Sequence, residues 1–235
     1  LMSGVYRHIP AAEYEDIASR ILYEDNHLLV MNKKVGEIVQ GDKTGDEPLS
    51  DTLKAFVAQR DSKPGQVFMG VPHRLDRPVS GVVIFAKTSK ALERLNEMFR
   101  SEGDKIRKRY RALVEKCPEP QEGELVHYLY RNEKQNKSYA YTQPKNGAKE
   151  SRLRYRLLHP TINYFLVEVE LLTGRHHQIR CQLSTIGSVI KGDLKYGARR
   201  SNRDGGISLH AYSVSFVHPV KKERVEIIAH HPLYE

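Results

Sequence analysis

VPHRLDRPVSGVVIFAKT, residues 71–88, joins a charged loop to an uninterrupted apolar run, and its second half decides the fold. Gly81 to Lys87 (GVVIFAK) holds consecutive apolar side chains with no polar alternation, the pattern of a strand buried on both faces. Upstream, Pro48 to Gln59 places Leu49, Leu53, Phe56 and Val57 at helical spacing. Ile21 to Met31 holds two apolar runs around Glu24-Asp25-Asn26 and reads as strand, turn, strand. Downstream, Ser89 is placed to cap a helix bearing Leu92, Leu95 and Phe99. Arg109 to Lys116 and Phe165 to Leu171 alternate as strands. A helical pattern runs from Arg175 through Ile179, Leu183 and Ile186 to Gly187, a C-terminal glycine. Ser208 to Ala229 reads as two strands around a turn at Pro219. Strands outnumber helices without regular alternation. The expectation is an α+β fold, a mixed and mostly antiparallel sheet with flanking helices, rather than a doubly wound one.

The chain has 235 residues, enough for one large domain or two small ones, and no linker rich in Pro, Gly or Ser divides it. A single domain over residues 1–235 is expected. With 39% hydrophobic and 29% charged residues, disorder throughout is excluded. No apolar run is long enough to span a membrane, and Leu1 to Arg20 shows no secretory signal. Cys117 and Cys181 lie in no CxxC or Cys/His spacing, which argues against a disulfide framework and for a reducing, cytoplasmic setting. Nothing demands more than a monomer. No GxGxxG or GxxxxGK[ST] supports a nucleotide cofactor. Lys and Arg number 38 against 29 Asp and Glu, a net charge of +9, and nucleic acid is the partner such an excess most often serves.

Three segments carry chemistry. In the first, His73-Arg74-Leu75-Asp76-Arg77, a carboxylate flanked by two arginines is expected to stay ionised and able to act as nucleophile or base. Spacing alone leaves open a structural ion pair that pins the loop. In the second, Thr173 to Arg180, the side chains of Arg175, His176, Gln178 and Arg180 gather at a helix N-terminus, which favours anions; a solvated basic helix start is the alternative. The adjacent pairs His176-His177 and His230-His231 lack accompanying ligands, so no metal is expected. In the third, Lys105 to Arg111 (KIRKRYR), alternation puts Lys108 and Tyr110 on one face and Arg109 and Arg111 on the other, an aromatic among cations suited to base stacking. A charged edge strand is the alternative. Further basic residues stand at Arg152, Arg154 and Arg156, and at Lys191, Lys195, Arg199, Arg200 and Arg203.

Together these segments resemble the RluA-type RNA pseudouridine synthases. VPHRLDRPVSGVVIFAKT looks like the signature centred on H-R-L-D and S-G. KRYRALV looks like the tyrosine segment, and LLTGRHHQIRCQL followed by Gly192-Asp193 and Tyr196-Gly197 like the T-G-R-x-H-Q-I-R helix and its sequel. The resemblance covers about residues 20–230. It implies an isomerase without cofactor that turns uridine in structured RNA, an rRNA hairpin or a tRNA arm, into pseudouridine after flipping the base out. It implies Asp76 as the catalytic aspartate, Arg180 as its partner and Tyr110 as the residue that stacks on uracil and can serve as a base in the rearrangement. Arg74 matches a position that enters the RNA in place of the flipped nucleotide; His73, Arg77, Lys108, Arg175 and Gln178 join the substrate-binding set. About 20 residues precede the first matched strand, too few for the S4 domain many relatives carry. Val79 stands where Thr is frequent. Lys34 stands where Pro is usual and is expected to loosen the strand end. The competing expectations are a catalytically silent RNA-binding module of the same fold and a metal-dependent hydrolase using His73, Asp76, His176 and His177.

Overall fold

The computed structural model describes residues 5–101 and 105–235. In chain order the elements are α1 (Ala11–Ser19), β1 (Ile21–Glu24), β2 (Leu28–Lys33), α2 (Leu49–Arg60), β3 (Ser80–Ala86), α3 (Ser89–Arg100), β4 (Ile106–Val114), β5 (Glu122–Asn132), β6 (Lys137–Tyr141), β7 (Lys149–Pro160), β8 (Phe165–Leu171), α4 (Gln178–Thr185), β9 (Leu209–Val217) and β10 (Arg224–Ile228). Among the described residues the strands form one sheet in the order β1-β2-β3-β9-β4-β8-β7-β5-β6, with β10 paired to β9. Only β3 and β9 run parallel. The sheet is therefore mixed and mostly antiparallel, an α+β fold.

β3 is buried along its whole length because both of its faces are covered. Val83 and Phe85 join a core with Leu29 and Met31 of β2 and Leu53 and Phe56 of α2. Val82 and Ile84 join a second core with Leu28 and Val30 of β2 and Ala91 and Leu95 of α3. Each large apolar side chain fully buried contributes about 1.5–3 kcal/mol, so an uninterrupted apolar run is what two covered faces select.

Local expectations differ from the structure in four places. Thr88, not Ser89, caps α3, its hydroxyl accepting the Ala91 N–H at 3.2 Å. β4 is no edge strand: it lies between β9 and β8, and the edge-protection reading of its charges falls. α4 begins at Gln178, because His177 adopts a left-handed conformation (φ 52°) that no helix continues through. The end of β2 is tied rather than loosened at Lys34: its N–H donates to Glu37 Oε1 at 2.8 Å, a bond proline would lack, and its ammonium pairs with Asp16 at 2.6 Å. Among the described residues, no helix is long and apolar enough to cross a membrane.

Candidate active site

The loop before β3 is held from both sides by its own backbone. Lys33, only 1% exposed, donates its ammonium to the carbonyls of Lys34 (3.0 Å), Arg77 (3.1 Å) and Val79 (2.6 Å). The Gly36 N–H adds a bond to the Arg77 carbonyl at 2.8 Å, and the Ile207 N–H reaches the Pro78 carbonyl at 3.1 Å. Val79 N–H closes a turn on the Asp76 carbonyl at 2.9 Å. Gly81 passes so close to β9 that an added Cβ would lie 2.3 Å from the Ala211 carbonyl oxygen, and its φ of +119° excludes other residues as well. Leu75 is buried as the anchor, while Asp76 stays 43% exposed at the side chain. The carboxylate is thus presented to solvent on a backbone tied at the carbonyls of residues 76 to 79.

Two buried side chains stand behind it. Arg180 Nη1 lies 3.6 Å and His177 Nε2 3.5 Å from Asp76 Oδ2. Arg180 is itself gripped by Asp193: Nε and Nη2 each donate to one carboxylate oxygen at 2.8 Å. This bidentate pair is the arginine's main partnership, and Asp76 is its second. His177 Nδ1 meets the Tyr196 hydroxyl at 2.8 Å, and that hydroxyl accepts the Ser138 N–H at 2.9 Å. Burial and the neighbouring Arg180 charge push the His177 pKa down to about 2, so the ring is neutral. The left-handed turn at His177 lays its ring on that of His176, centroids 3.7 Å apart; the two histidines stack rather than diverge as they would on a helix.

β4 supplies the third component. Tyr110 is half-buried, and among the described residues its hydroxyl makes no hydrogen bond. Burial and the Asp76 charge raise its pKa above the ordinary value, keeping the phenol protonated. The Lys108 ammonium sits 5.6 Å from the Phe99 ring centroid, its pKa lowered by burial, and the missing Cβ of Gly174 leaves room for it. The opposite face of β4 carries Arg111, which pairs with Glu168 at 3.2 Å and lies over the Tyr212 ring, as the alternation predicted.

Several expected contacts are taken up by the fold. Arg77 does not flank the carboxylate; it pairs with Asp42 (3.2 Å) and Asp46 (3.0 Å) and donates to the Gly36 carbonyl. His73 accepts the Ile84 N–H at 2.8 Å and stacks on Phe99, and burial pushes its pKa down to about 3. Gln178, 3% exposed, accepts from Thr173 and the Arg175 N–H and donates to Arg152 and Gln182. Arg175 donates to the Glu150 carbonyl at 3.0 and 3.1 Å and lies ahead of the helix rather than on it. Arg152, Arg154 and Arg156 are matched by Glu124, Glu150 and Glu168. Arg74, by contrast, is exposed and pairs with nothing among the described residues. Sequence reasoning gave no site role to Asp193 or Tyr196, and named His177 only for the hydrolase alternative. Gly192-Asp193 and Tyr196-Gly197 were visible as motifs, but no spacing rule ties them to Asp76.

Lys33 gives this site a stability signature. Replacing it with Met leaves three carbonyls without their shared donor and is expected to cost about 1–3 kcal/mol, or more, in urea unfolding. Burial pushes the Lys33 pKa from the ordinary 10.5 down to about 8. Between those values the unfolded chain keeps a proton that the folded chain has released. Stability from this group therefore rises with pH across that window, and it is not gained below it. Unfolding at about pH 7.5 and about pH 9.5 is expected to show the gap between wild type and Lys33→Met widening at the higher pH.

Comparison with known proteins gives consistent likenesses. A family model described as RNA pseudouridylate synthase matches residues 27–185. The chain is 33% identical over 230 residues to ribosomal large subunit pseudouridine synthase D of Zymomonas mobilis, covering 94% of this chain and 71% of that one. It is 35% identical over 219 residues to ribosomal large subunit pseudouridine synthase C of Vibrio cholerae, covering 91% of this chain and 65% of that one. The solved structure of human RNA Pseudouridylate Synthase Domain Containing 4 shares the fold, with a TM-score of 0.77 over 93% of this chain and 91% of that one, at 22% identity.

Proposed function

The chain belongs to the RNA pseudouridylate synthase family, isomerases that convert uridine in RNA to pseudouridine, and from that premise we propose that Asp76 performs the reaction on a uridine flipped out of structured RNA. The observation that carries this reading is the Asp76 carboxylate, open to solvent yet backed at 3.5–3.6 Å by buried His177 and Arg180. The isomerisation breaks the N1–C1′ bond, turns the uracil and forms a C5–C1′ bond; the C5 proton is lost and N1 gains one. No water is consumed and no electron is transferred. Asp76 adds through a carboxylate oxygen to the ribose or to the base and holds the detached half until the new bond closes. Arg180 balances the carboxylate, and Asp193 stops the guanidinium from collapsing onto it. The protonated Tyr110 phenol serves as the stacking face over uracil, which its raised pKa favours over the role of base. Arg74, exposed and unpaired among the described residues, is free to fill the gap left in the RNA. Lys108 stays in the substrate-binding set, near Gly174.

The named relatives act on the large ribosomal subunit, and we take large-subunit rRNA as the first substrate to test, with tRNA second. We place the reaction in the cytoplasm. Flipping costs a few kcal/mol and is cheapest in a loop or bulge, so a loop uridine is the expected target. Wild-type protein incubated with unmodified rRNA is expected to create carbodiimide-dependent primer-extension stops at one or a few uridines. RNA bound tightly with no new stop would point to a silent binding module instead.

Phosphate contacts should dominate affinity. A cleft of about 740 Å3 is lined by Lys34, Lys191, Arg200 and Arg203 among others. Arg200 and Arg203 are exposed and carry no side-chain partner among the described residues. Binding to an rRNA hairpin is expected to weaken about 10³-fold or more between roughly 50 and 200 mM salt if six or more phosphates are contacted. The Arg200→Ala/Arg203→Ala double variant is expected to flatten the log–log salt slope by about two. An unchanged slope would remove these arginines from the RNA interface.

A further inference from the structure

Four of the thirteen tyrosines lie on one face of the β5–β6 hairpin, away from the reacting carboxylate, and the reaction uses none of them. Tyr128 pairs with Tyr141 and Tyr130 with Tyr139 across the two strands. In antiparallel strands, directly opposed residues and those two apart share a face, so all four rings project to the same side. The alternate residues point the other way: Leu129 and Ala140 pack with Cys181 of α4 and with Tyr196. Tyr130 and Tyr139 are the most open, at 41% and 37% exposed. Among the described residues no ring of the four stacks on another ring, so their faces are uncovered by aromatics. Cations border them instead: Lys145 lies 4.0 Å from the Tyr141 ring centroid and Lys137 lies 5.2 Å from that of Tyr139. Glu150, opposite Tyr128 on this face, is held by Arg152 at 2.7 Å.

The hairpin turn joins this face to the site. His176, stacked on His177, reaches Asn136 in the hairpin turn at 3.0 Å. Lys195 donates to the carbonyls of Gln135 and Asn136 in the same turn. Lys137 lies 5.5 Å from the ring centroid of Tyr196, whose hydroxyl bonds His177, as well as against Tyr139. A chain leaving Asp76 past the hairpin tip therefore meets lysines and then open aromatic rings. Cross-strand aromatic pairs also stabilise a hairpin, but that needs neither open ring faces nor lysines set against them.

We propose that the outer face of the β5–β6 hairpin is a stacking platform for single-stranded nucleotides flanking the target uridine. Bases stack on Tyr130 and Tyr139 while Lys137 and Lys145 contact the phosphates between them. Every base has a π-face, so the platform takes sequence-tolerant single strands. The inference rests on RNA being the substrate.

The test uses the full chain and a fluorescein-labelled twelve-nucleotide oligouridylate, read by anisotropy at fixed salt. Tyr130→Leu/Tyr139→Leu keeps apolar bulk on the strands and removes the ring faces; it is expected to bind about ten-fold or more weakly, the scale of one lost base stack. Tyr130→Phe/Tyr139→Phe keeps the faces and is expected to bind within about two-fold of wild type. Ultraviolet cross-links from the same probe are expected in the peptide holding residues 128–141. Should the Leu variant fold poorly, those cross-links on wild-type protein decide the matter: their absence from this peptide overturns the proposal. Equal binding by wild type and a folded Leu variant overturns it too, as does a protein captured by wild type and lost by the Leu variant while RNA binding is unchanged. If rRNA gains pseudouridine but probe binding ignores the tyrosines, the platform fails and the proposed function stands; if the tyrosines matter but no uridine is converted, the reverse holds.

Discussion

Replacing Asp76 with Asn is expected to lower pseudouridine formation about 10⁴-fold or more, while leaving the fold intact and RNA binding within a few-fold of wild type. The substitution conserves size and polarity but removes the negative charge and the nucleophilic lone pairs on which the bond exchange depends. Its structural cost is small for three reasons. The side chain is 43% exposed, it is not the main partner of Arg180, and the loop is held by backbone bonds to Lys33, Gly36 and Ile207 rather than by the carboxylate. Urea unfolding is therefore expected within about 1 kcal/mol of wild type. Single-turnover conversion on rRNA, scored by carbodiimide stops, is the measurement. Residual activity within ten-fold of wild type would remove Asp76 from the chemistry.

Replacing Asp193 with Asn is the most destabilising change expected in the site. Asp193 is 1% exposed and Arg180 7% exposed, and two 2.8 Å bonds join them. Removing one member of a buried pair strands the other charge, at a cost of about 3–5 kcal/mol. Activity is expected to fall as well, because a guanidinium freed from Asp193 is drawn toward Asp76 and neutralises it. A double replacement separates the two effects. Arg180→Met with Asp193→Leu removes both charges, and is expected to recover most of the stability and none of the activity. Urea midpoints of the single and double variants, compared with conversion rates, give the answer. An Asp193→Asn protein with an unchanged midpoint would show that this pair does not anchor the site.

The reading of GVVIFAK as a doubly covered strand carried over to the structure because the signal is local: two hydrophobic cores select apolar side chains from Val82 to Ala86, and the polar Ser80 at the start of β3 is bonded to His210 at 2.7 Å. The β1–β2 turn, α2, α3 and the β9–β10 pair followed from periodicity for the same reason. α1 escaped notice because Ile17 is its only buried residue, so it has little apolar stripe to detect. β5, β6 and much of β7 escaped because one face is covered by tyrosines and matched charges instead of aliphatic side chains.

Asp76, Tyr110 and Arg180 were legible as types set in three motifs. Their company was not. Arg77 looked like a neighbour of the carboxylate because it is adjacent in the chain, yet its partner Asp42 lies 35 residues away. Gln178 looked free at a helix start, yet it is enclosed by Thr173, Arg152 and Gln182.

The amino-acid order by itself determined the α+β architecture, the basic character and the three segments that hold the reacting groups. The tertiary structure alone decided that Arg77 turns away from Asp76, that Asp193 and His177 complete the cluster, and which face of the hairpin shows its tyrosines. Periodicity reports burial, a property each residue carries with it. Pairing between charges depends on distance in space, and only the folded sheet brings β3, β4 and α4 within that range.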